Sequence, residues 1–104
     1  MEQIAFLMRL KPGHEAEYRR RHAQIWPELQ AALARAGVRD YSIFLDAVTL
    51  DLFAVLRLTP DNTRDELPSL PIMRRWWDSV ADLMEVDETH RPIERALTPV
   101  FHMD

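Results

Sequence analysis

Three stretches of the chain alternate apolar residues with a period of two, a pattern typical of β-strands. The first covers residues 3–10, and the other two cover residues 40–46 and 51–58. The four residues between the last two stretches, AVTL, suit a hairpin loop. We therefore expect the second and third strands to pair antiparallel. Large apolar side chains occur on both faces of these strands, for example Leu52 on one face and Phe53 on the other.

Apolar residues at helical spacing cover residues 14–36, and Gly37 is well placed to end that helix. Pro27 divides the stretch, and a proline in a helix interior costs roughly 3 kcal/mol. The chain is therefore predicted to kink at Pro27 or to start a new helix there, because the first turn of a helix tolerates proline.

The remainder of the chain predicts one more helix and one more strand. Pro68 and Pro71 interrupt the beginning of the second helical region. A clear helical pattern is predicted from about residue 72 to residue 84. A short last strand is expected near residues 100–102. The resulting order is β-α-β-β-α-β, a ferredoxin-like α+β fold with an antiparallel sheet, in a single domain over residues 1–104.

The two-sided apolar character of the strands bears on the assembly. Helices can cover only one face of such a sheet, so the other face needs its own cover. A second copy of the chain, packed sheet to sheet in a dimeric α+β barrel, is the favoured interpretation. The alternative is a monomer with a partly apolar exposed sheet, which is less favoured because large apolar patches usually mark interfaces.

Composition excludes several classes of function. The net charge of −4 argues against nucleic acid as the main partner, and the absence of cysteine excludes disulfides and thiolate chemistry. Two glycines cannot build a Gly-rich phosphate loop, and the four histidines lack metal-ligand spacing, so no metal or other cofactor is predicted. The first residues resemble neither a signal peptide nor a membrane span, which leads us to expect a cytoplasmic protein without membrane contact.

His22 is the most informative candidate for chemistry. Tyr18 and His22 are four residues apart, so on a helix their side chains lie on one face. The alternative is a purely structural role, as a core histidine whose ring nitrogens are hydrogen-bonded to neighbouring residues. Three features favour a site: the tyrosine on the same face, the charged run at residues 19–21, and a gap that the break at Pro27 would open.

The aromatic residues Tyr41, Trp76 and Trp77 complete the candidate pocket. Adjacent helix residues point about 100° apart, so Trp76 and Trp77 cannot share one environment. Both could simply pack in the core, and Tyr41 could be a core residue at a sheet edge. A flat indole face also suits a sugar ring, so these residues together fit a neutral, hydroxylated small molecule and a modest proton transfer.

Four segments carry a resemblance to a known family. They are EYRRRHAQIWPEL at 17–29, YSIFLD at 41–46, RRWWDSVADLM at 74–84 and VFHMD at 100–104. The chain resembles the L-rhamnose mutarotases nearly from end to end. The resemblance implies a dimeric, ferredoxin-like α+β barrel that interconverts the α and β anomers of L-rhamnose without a metal or organic cofactor.

Carried over residue by residue, the resemblance places the general acid on His22. It places the contacts with the sugar on four aromatic residues: Tyr18, Tyr41, Trp76 and Trp77. Two alternatives remain open within the same architecture. One is a cofactor-independent monooxygenase similar to the antibiotic-biosynthesis group, and the other is a dimeric module that binds sugar without catalysis.

Overall fold

The computed structural model describes residues 1–104 and contains a four-stranded antiparallel sheet, three α-helices and a 3₁₀ helix. The elements, in chain order, are β1 (Glu2–Arg9), α1 (Glu15–Ala23), α2 (Pro27–Arg35), β2 (Val38–Leu45), β3 (Asp51–Leu58), the 3₁₀ helix (Arg64–Ser69), α3 (Pro71–Val80) and β4 (Arg95–Ala96). The strands lie in the order β2-β3-β1-β4. The predicted ferredoxin-like α+β fold is confirmed, and none of its helices has the length and apolar character needed to cross a membrane.

The helices pack on one face of the sheet, which we call the inner face. Four side chains of β3 point to this face and are at most 6% exposed: Leu52, Ala54, Leu56 and Leu58. In the ladder, Phe6 of β1 and Ile43 of β2 lie opposite Ala54, so their side chains share that face. The largest buried cluster of apolar side chains lies between the sheet and the helices.

A bulge in β2 decides which face Tyr41 occupies. The register shifts between Arg39 and Ser42, so two residues of β2 oppose one residue of β3. Asp40 holds the extra position with φ of 47°, a left-handed conformation that aspartate tolerates better than most residues. Because the bulge resets the alternation, Tyr41 follows Val38 onto the inner face.

Pro27 begins a new helix, which confirms the second of the two predicted outcomes. It stands at the first position of α2, where its missing N–H costs no helical hydrogen bond. Trp26, immediately before it, is extended with φ of −64° and ψ of 128°. Gly37 ends the helical region with φ of 92°, and a Cβ at this position would overlap Thr59 and Asn62.

Strands β1 and β2 begin one and two residues earlier than predicted, and two other predicted boundaries are wrong by more than two residues. Helix α3 ends at Val80 and not at Met84, because the chain turns there to pair with the end of β1. The Lys11 N–H donates to the Leu83 carbonyl at 2.8 Å, and the Glu85 N–H donates to the Arg9 carbonyl at 2.9 Å. These bonds to β1 require a change of direction that a continued helix could not make.

The last strand is Arg95–Ala96, and residues 100–102 form no strand. Ala96 pairs with Phe6, and the Leu97 N–H donates to the Ala5 carbonyl at 2.9 Å. Pro99 has no N–H to continue this ladder. The chain beyond it is exposed, with Val100 at 93%.

Candidate active site

Helix α1 presents Tyr18 and His22 together to the space between the helices and the sheet. Their ring centroids are 4.2 Å apart with 33° between the ring planes. Tyr18 is 8% exposed, whereas His22 is only partly buried. The i, i+4 spacing read from the sequence therefore brings both rings into direct contact.

Two tryptophans extend this contact from α1 to α3. Trp76 meets His22 edge to face at 5.2 Å between centroids, and Trp26 meets Trp76 in the same manner at 5.2 Å. Edge-to-face contacts of this kind restrain the rings beyond simple apolar burial. The sequence pattern did not assign Trp26 to the site. An aromatic residue directly before the predicted helix break at Pro27 was the feature that could have indicated its role.

A backbone contact determines which nitrogen of His22 is available. Nδ1 lies 3.0 Å from the carbonyl oxygen of Tyr18. A carbonyl can only accept, so Nδ1 carries the hydrogen and Nε2 is left without a proton in the neutral ring. Burial lowers the pKa of His22, and the hydrogen bond to the Tyr18 carbonyl only partly opposes this effect. The ring is therefore mainly neutral at pH 7, with Nε2 able to accept a proton.

The phenols of Tyr18 and Tyr41 are available as hydrogen-bonding groups. Neither hydroxyl makes a hydrogen bond within the protein, and no buried side-chain oxygen or nitrogen is left without a partner, so the Tyr18 hydroxyl is reachable from solvent. Burial raises the pKa of Tyr18, and the nearby Tyr41 adds to the shift. Burial of its hydroxyl, together with the charge of Glu94, raises the pKa of Tyr41 to about 12, although 39% of the residue is exposed at the sheet edge. Both phenols are therefore neutral donors.

Trp77 lies in different surroundings from Trp76. Its ring is flanked by two guanidinium groups, with Arg74 at 5.8 Å and Arg91 at 5.7 Å from the centroid. Trp76 is 7% exposed, whereas Trp77 is only partly buried. The structure thus brings Tyr18, His22 and Trp76 together and places Trp77 on another side of α3.

Arg21 connects the two helices that carry the site. Its guanidinium donates to Asp82 at 3.0 Å, to Glu17 at 2.8 Å and to the backbone carbonyl of Ser79. A cation at this carbonyl also interacts favourably with the C-terminal end of α3. Since His22 follows Arg21 directly, this link sets the distance between His22 and α3.

Arg64 and Glu94 were not singled out in the sequence, because 30 residues separate them and neither belongs to a recognisable motif. In the structure they form an ion pair close enough to Tyr41 for both charges to act on its pKa. No three histidine or carboxylate side chains meet in a geometry that could hold a metal ion. The site as a whole offers one proton-accepting nitrogen, neutral phenols and apolar walls, which suits proton transfer on a neutral, hydroxylated molecule.

Comparison with known proteins gives a consistent picture. The family model described as L-rhamnose mutarotase matches residues 3–103. An L-rhamnose mutarotase of Paraburkholderia phytofirmans is 55% identical over 104 residues, covering 100% of this chain and 97% of that protein. An L-rhamnose mutarotase of Acidiphilium cryptum is 53% identical over 103 residues, covering 99% of both.

Solved structures agree with this result. The crystal structure of an L-rhamnose mutarotase from Formosa agariphila aligns over 100% of both chains with a TM-score of 0.93 and 39% identity. A Mycobacterium tuberculosis protein aligns over 99% of this chain and 100% of its own with a TM-score of 0.60 and 16% identity. The second likeness shows the shared fold alone.

Proposed function

The chain belongs to the L-rhamnose mutarotase family, so it is an isomerase that interconverts the α and β anomers of L-rhamnose, and we propose that His22 moves the protons of this reaction. The observation that carries the proposal is the hydrogen bond from His22 Nδ1 to the Tyr18 carbonyl at 3.0 Å. It holds the ring in the tautomer whose Nε2 can accept a proton from the substrate.

The chemistry requires one proton to leave and one to arrive. In ring opening, Nε2 takes the proton of the anomeric hydroxyl while the C1–O5 bond breaks and a C1=O1 double bond forms. The imidazolium then acts as the general acid and gives its proton to O5. Rotation about C1–C2 exposes the other face of the aldehyde, and the reverse steps close the ring as the other anomer. Because O1 and O5 are both bonded to C1, one imidazole can serve both.

The aromatic residues around His22 are proposed to bind the sugar. The hydroxyls of Tyr18 and Tyr41 have no protein partner and can donate to sugar oxygens. The indole of Trp76 supplies an apolar wall beside His22 for the ring or its methyl group. Trp77, whose ring lies between two arginines, is assigned a weaker contact at the rim of the site.

A homodimer is proposed as the assembled form. Phe44 and Phe53 are cross-strand partners on the face of the sheet that no helix covers, and they are 64% and 38% exposed. A second copy packed on the same face would bury both rings and remove an apolar patch from water. The cytoplasmic location remains a prediction from the sequence.

Saturation transfer between the anomeric protons of L-rhamnose tests the activity directly. Irradiating the H1 signal of one anomer should reduce the signal of the other in the presence of the protein, and much less in a protein-free sample. A parallel titration with a polycyclic phenol addresses the monooxygenase alternative. Binding of the phenol without any transfer between the sugar signals would contradict the proposal, and binding of L-rhamnose without transfer would leave only a sugar-binding module.

A further inference from the structure

Arg64 and Glu94 form an ion pair between two segments that are remote in the sequence. Arg64 begins the 3₁₀ helix and Glu94 directly precedes β4, yet Nη2 of the arginine lies 3.4 Å from Oε1 of the glutamate. The side chains are only 26% and 31% exposed. The pair is therefore partly shielded from water, to about the same degree as the Arg21–Glu17 pair of α1.

Phe6 locates this ion pair on the inner face of the sheet. The Arg64 guanidinium lies 5.3 Å from the centroid of the Phe6 ring, which is 6% exposed. Phe6 pairs with Ala96 of β4, two residues beyond Glu94. The pair thus occupies the side of the sheet that also carries Tyr41 and faces the helices.

The ion pair is connected to the site through the two tyrosines. Phe6, whose ring the Arg64 guanidinium covers, lies in the same buried apolar cluster as Tyr18. The negative charge of Glu94 also raises the pKa of Tyr41, and the positive charge of Arg64 lowers it. Tyr41 in turn acts on the pKa of Tyr18, whose ring stacks on His22. The ion pair and the phenol of Tyr41 therefore share the inner face of the sheet, against which Tyr18 of α1 is buried.

The pair has unused hydrogen-bonding capacity. A guanidinium has five N–H donors and a carboxylate about four acceptor positions, but the two side chains share only one contact, at 3.4 Å. A guanidinium alone would favour a phosphate or carboxylate ligand. Because Glu94 neutralises it, the pair suits a neutral ligand that offers a donor and an acceptor side by side, as two neighbouring hydroxyls of a sugar ring do.

We propose that Arg64 and Glu94 form a second binding group of the sugar site, where Arg64 donates to one ring hydroxyl and Glu94 accepts from its neighbour. The proposal rests on the proposed function, since it assumes that the sugar lies between His22 and the phenols. In this arrangement His22 acts on the anomeric carbon, and the ion pair recognises hydroxyls elsewhere on the ring. The pair contributes to binding and specificity and takes no part in proton transfer.

Two single substitutions test the proposal: Glu94→Gln and Arg64→Gln. Matched controls are Glu88→Gln and Arg75→Gln, because both side chains are exposed and make no hydrogen bond or ion pair. Saturation transfer at increasing L-rhamnose concentration gives KM and kcat. We expect KM to rise about 10- to 100-fold in each test variant, the effect of losing a hydrogen bond to a charged group, with kcat within about threefold of wild type. An unchanged KM in either test variant would overturn the proposal.

A charge-reversed double variant, R64E/E94R, separates binding from a purely structural bridge. The reversed pair can restore the ion pair between the 3₁₀ helix and β4, so the melting temperature should return towards that of wild type. It presents the donor and the acceptor in exchanged positions, so KM should stay raised. Recovery of KM together with the melting temperature would show that the pair only bridges two segments, which refutes the proposal.

The outcome is independent of the role of His22. If wild type exchanges anomers but Glu94→Gln retains the wild-type KM, this proposal fails and the proposed function stands. If wild type does not accelerate exchange, the proposed function fails, and calorimetric titration with L-rhamnose still compares the variants. Weaker L-rhamnose binding in Glu94→Gln than in Glu88→Gln would then support the binding role, and equal binding would overturn it.

Discussion

Leu52 and Phe53 are adjacent in β3 but lie in opposite surroundings. Leu52 points to the inner face and is 1% exposed, whereas Phe53 points to the outer face and is 38% exposed. The same contrast holds on β2, where Phe44 of the outer face is 64% exposed. Both faces therefore carry apolar side chains, but the helices of the chain cover only one of them.

From this contrast we expect the two faces of the sheet to have different functions. The inner face carries the candidate chemistry, because Tyr41, Arg64 and Glu94 gather on the side where α1 brings Tyr18 and His22. The outer face carries the exposed rings of Phe44 and Phe53 together with charged groups such as the Arg9–Asp51 ion pair, a combination that matches the apolar core and polar rim of a subunit interface. Substitutions on one face should therefore affect catalysis, and substitutions on the other should affect assembly.

The largest effect is expected from His22→Ala on the inner side. Loss of a general acid–base group typically costs 10²–10⁴-fold, so anomer exchange should slow by about that factor. L-Rhamnose binding should weaken far less, because the phenols and Trp76 remain, and the oligomeric state should not change. Saturation transfer provides the rate, with protein-free sugar as the baseline and the exposed His102→Ala as the matched control. A wild-type rate in His22→Ala would remove the imidazole from the mechanism.

Phe44→Ser tests the outer face with the opposite expectation. Losing about 1 kcal/mol of apolar burial from each of the two copies, or about 2 kcal/mol per dimer, should raise the dimer dissociation constant about 30-fold. Exchange per chain should stay within about threefold of wild type. Sedimentation velocity at several concentrations measures the assembly, and Val48→Ser, a substitution at a hairpin residue that is 92% exposed, serves as control. A wild-type protein that stays monomeric at micromolar concentration would refute the interface.

The pH dependence probes the inner face without a substitution. Burial lowers the pKa of His22 below its usual value of about 6.5, and the neutral ring is the form that accepts the substrate proton. The value of kcat/KM should therefore be level above about pH 6.5 and fall about tenfold per unit below the lowered pKa. If kcat/KM instead fell as the pH rises above about 6.5, the protonated imidazolium would be the form of His22 that starts the reaction.

The lowered pKa of His22 also makes the folded protein less stable as the pH falls. Between the lowered pKa and 6.5 the unfolded chain binds more protons than the folded chain, so the free energy of unfolding decreases as the pH falls through that interval. His22→Ala should lose this contribution. Thermal unfolding of both proteins between pH 5 and 7 measures the difference, and identical pH slopes would contradict the buried, neutral state of His22.

The smallest effect is expected for the comparison of Trp76→Phe with Trp77→Phe. Because Trp76 contacts His22 and Trp77 lies between two arginines, L-rhamnose should change the fluorescence of wild type and Trp77→Phe more than that of Trp76→Phe. KM should rise a few-fold in Trp76→Phe and less in Trp77→Phe. The reverse order in either measurement would place the sugar against Trp77.

Local rules were sufficient for much of the fold. The alternation in residues 51–58 predicted β3 with its correct bounds, because a period of two follows directly from the geometry of an extended chain. The new helix at Pro27 and the end at Gly37 also follow from backbone constraints of single residues. The spacing of Tyr18 and His22 predicted their contact, since residues four apart in a helix are always neighbours. The assignment of chemical roles came from the resemblance and not from these rules.

Only the tertiary structure decided the features that depend on distant segments. Helix α3 ends at Val80 because the following residues bond to β1, and β4 forms at Arg95–Ala96 because that segment reaches the free edge of β1. The sequence by itself determined which residues could form strands, helices and turns, since those preferences are local. It did not determine that Arg64 meets Glu94 on the inner face of the sheet, because such contacts depend on how the sheet and helices pack.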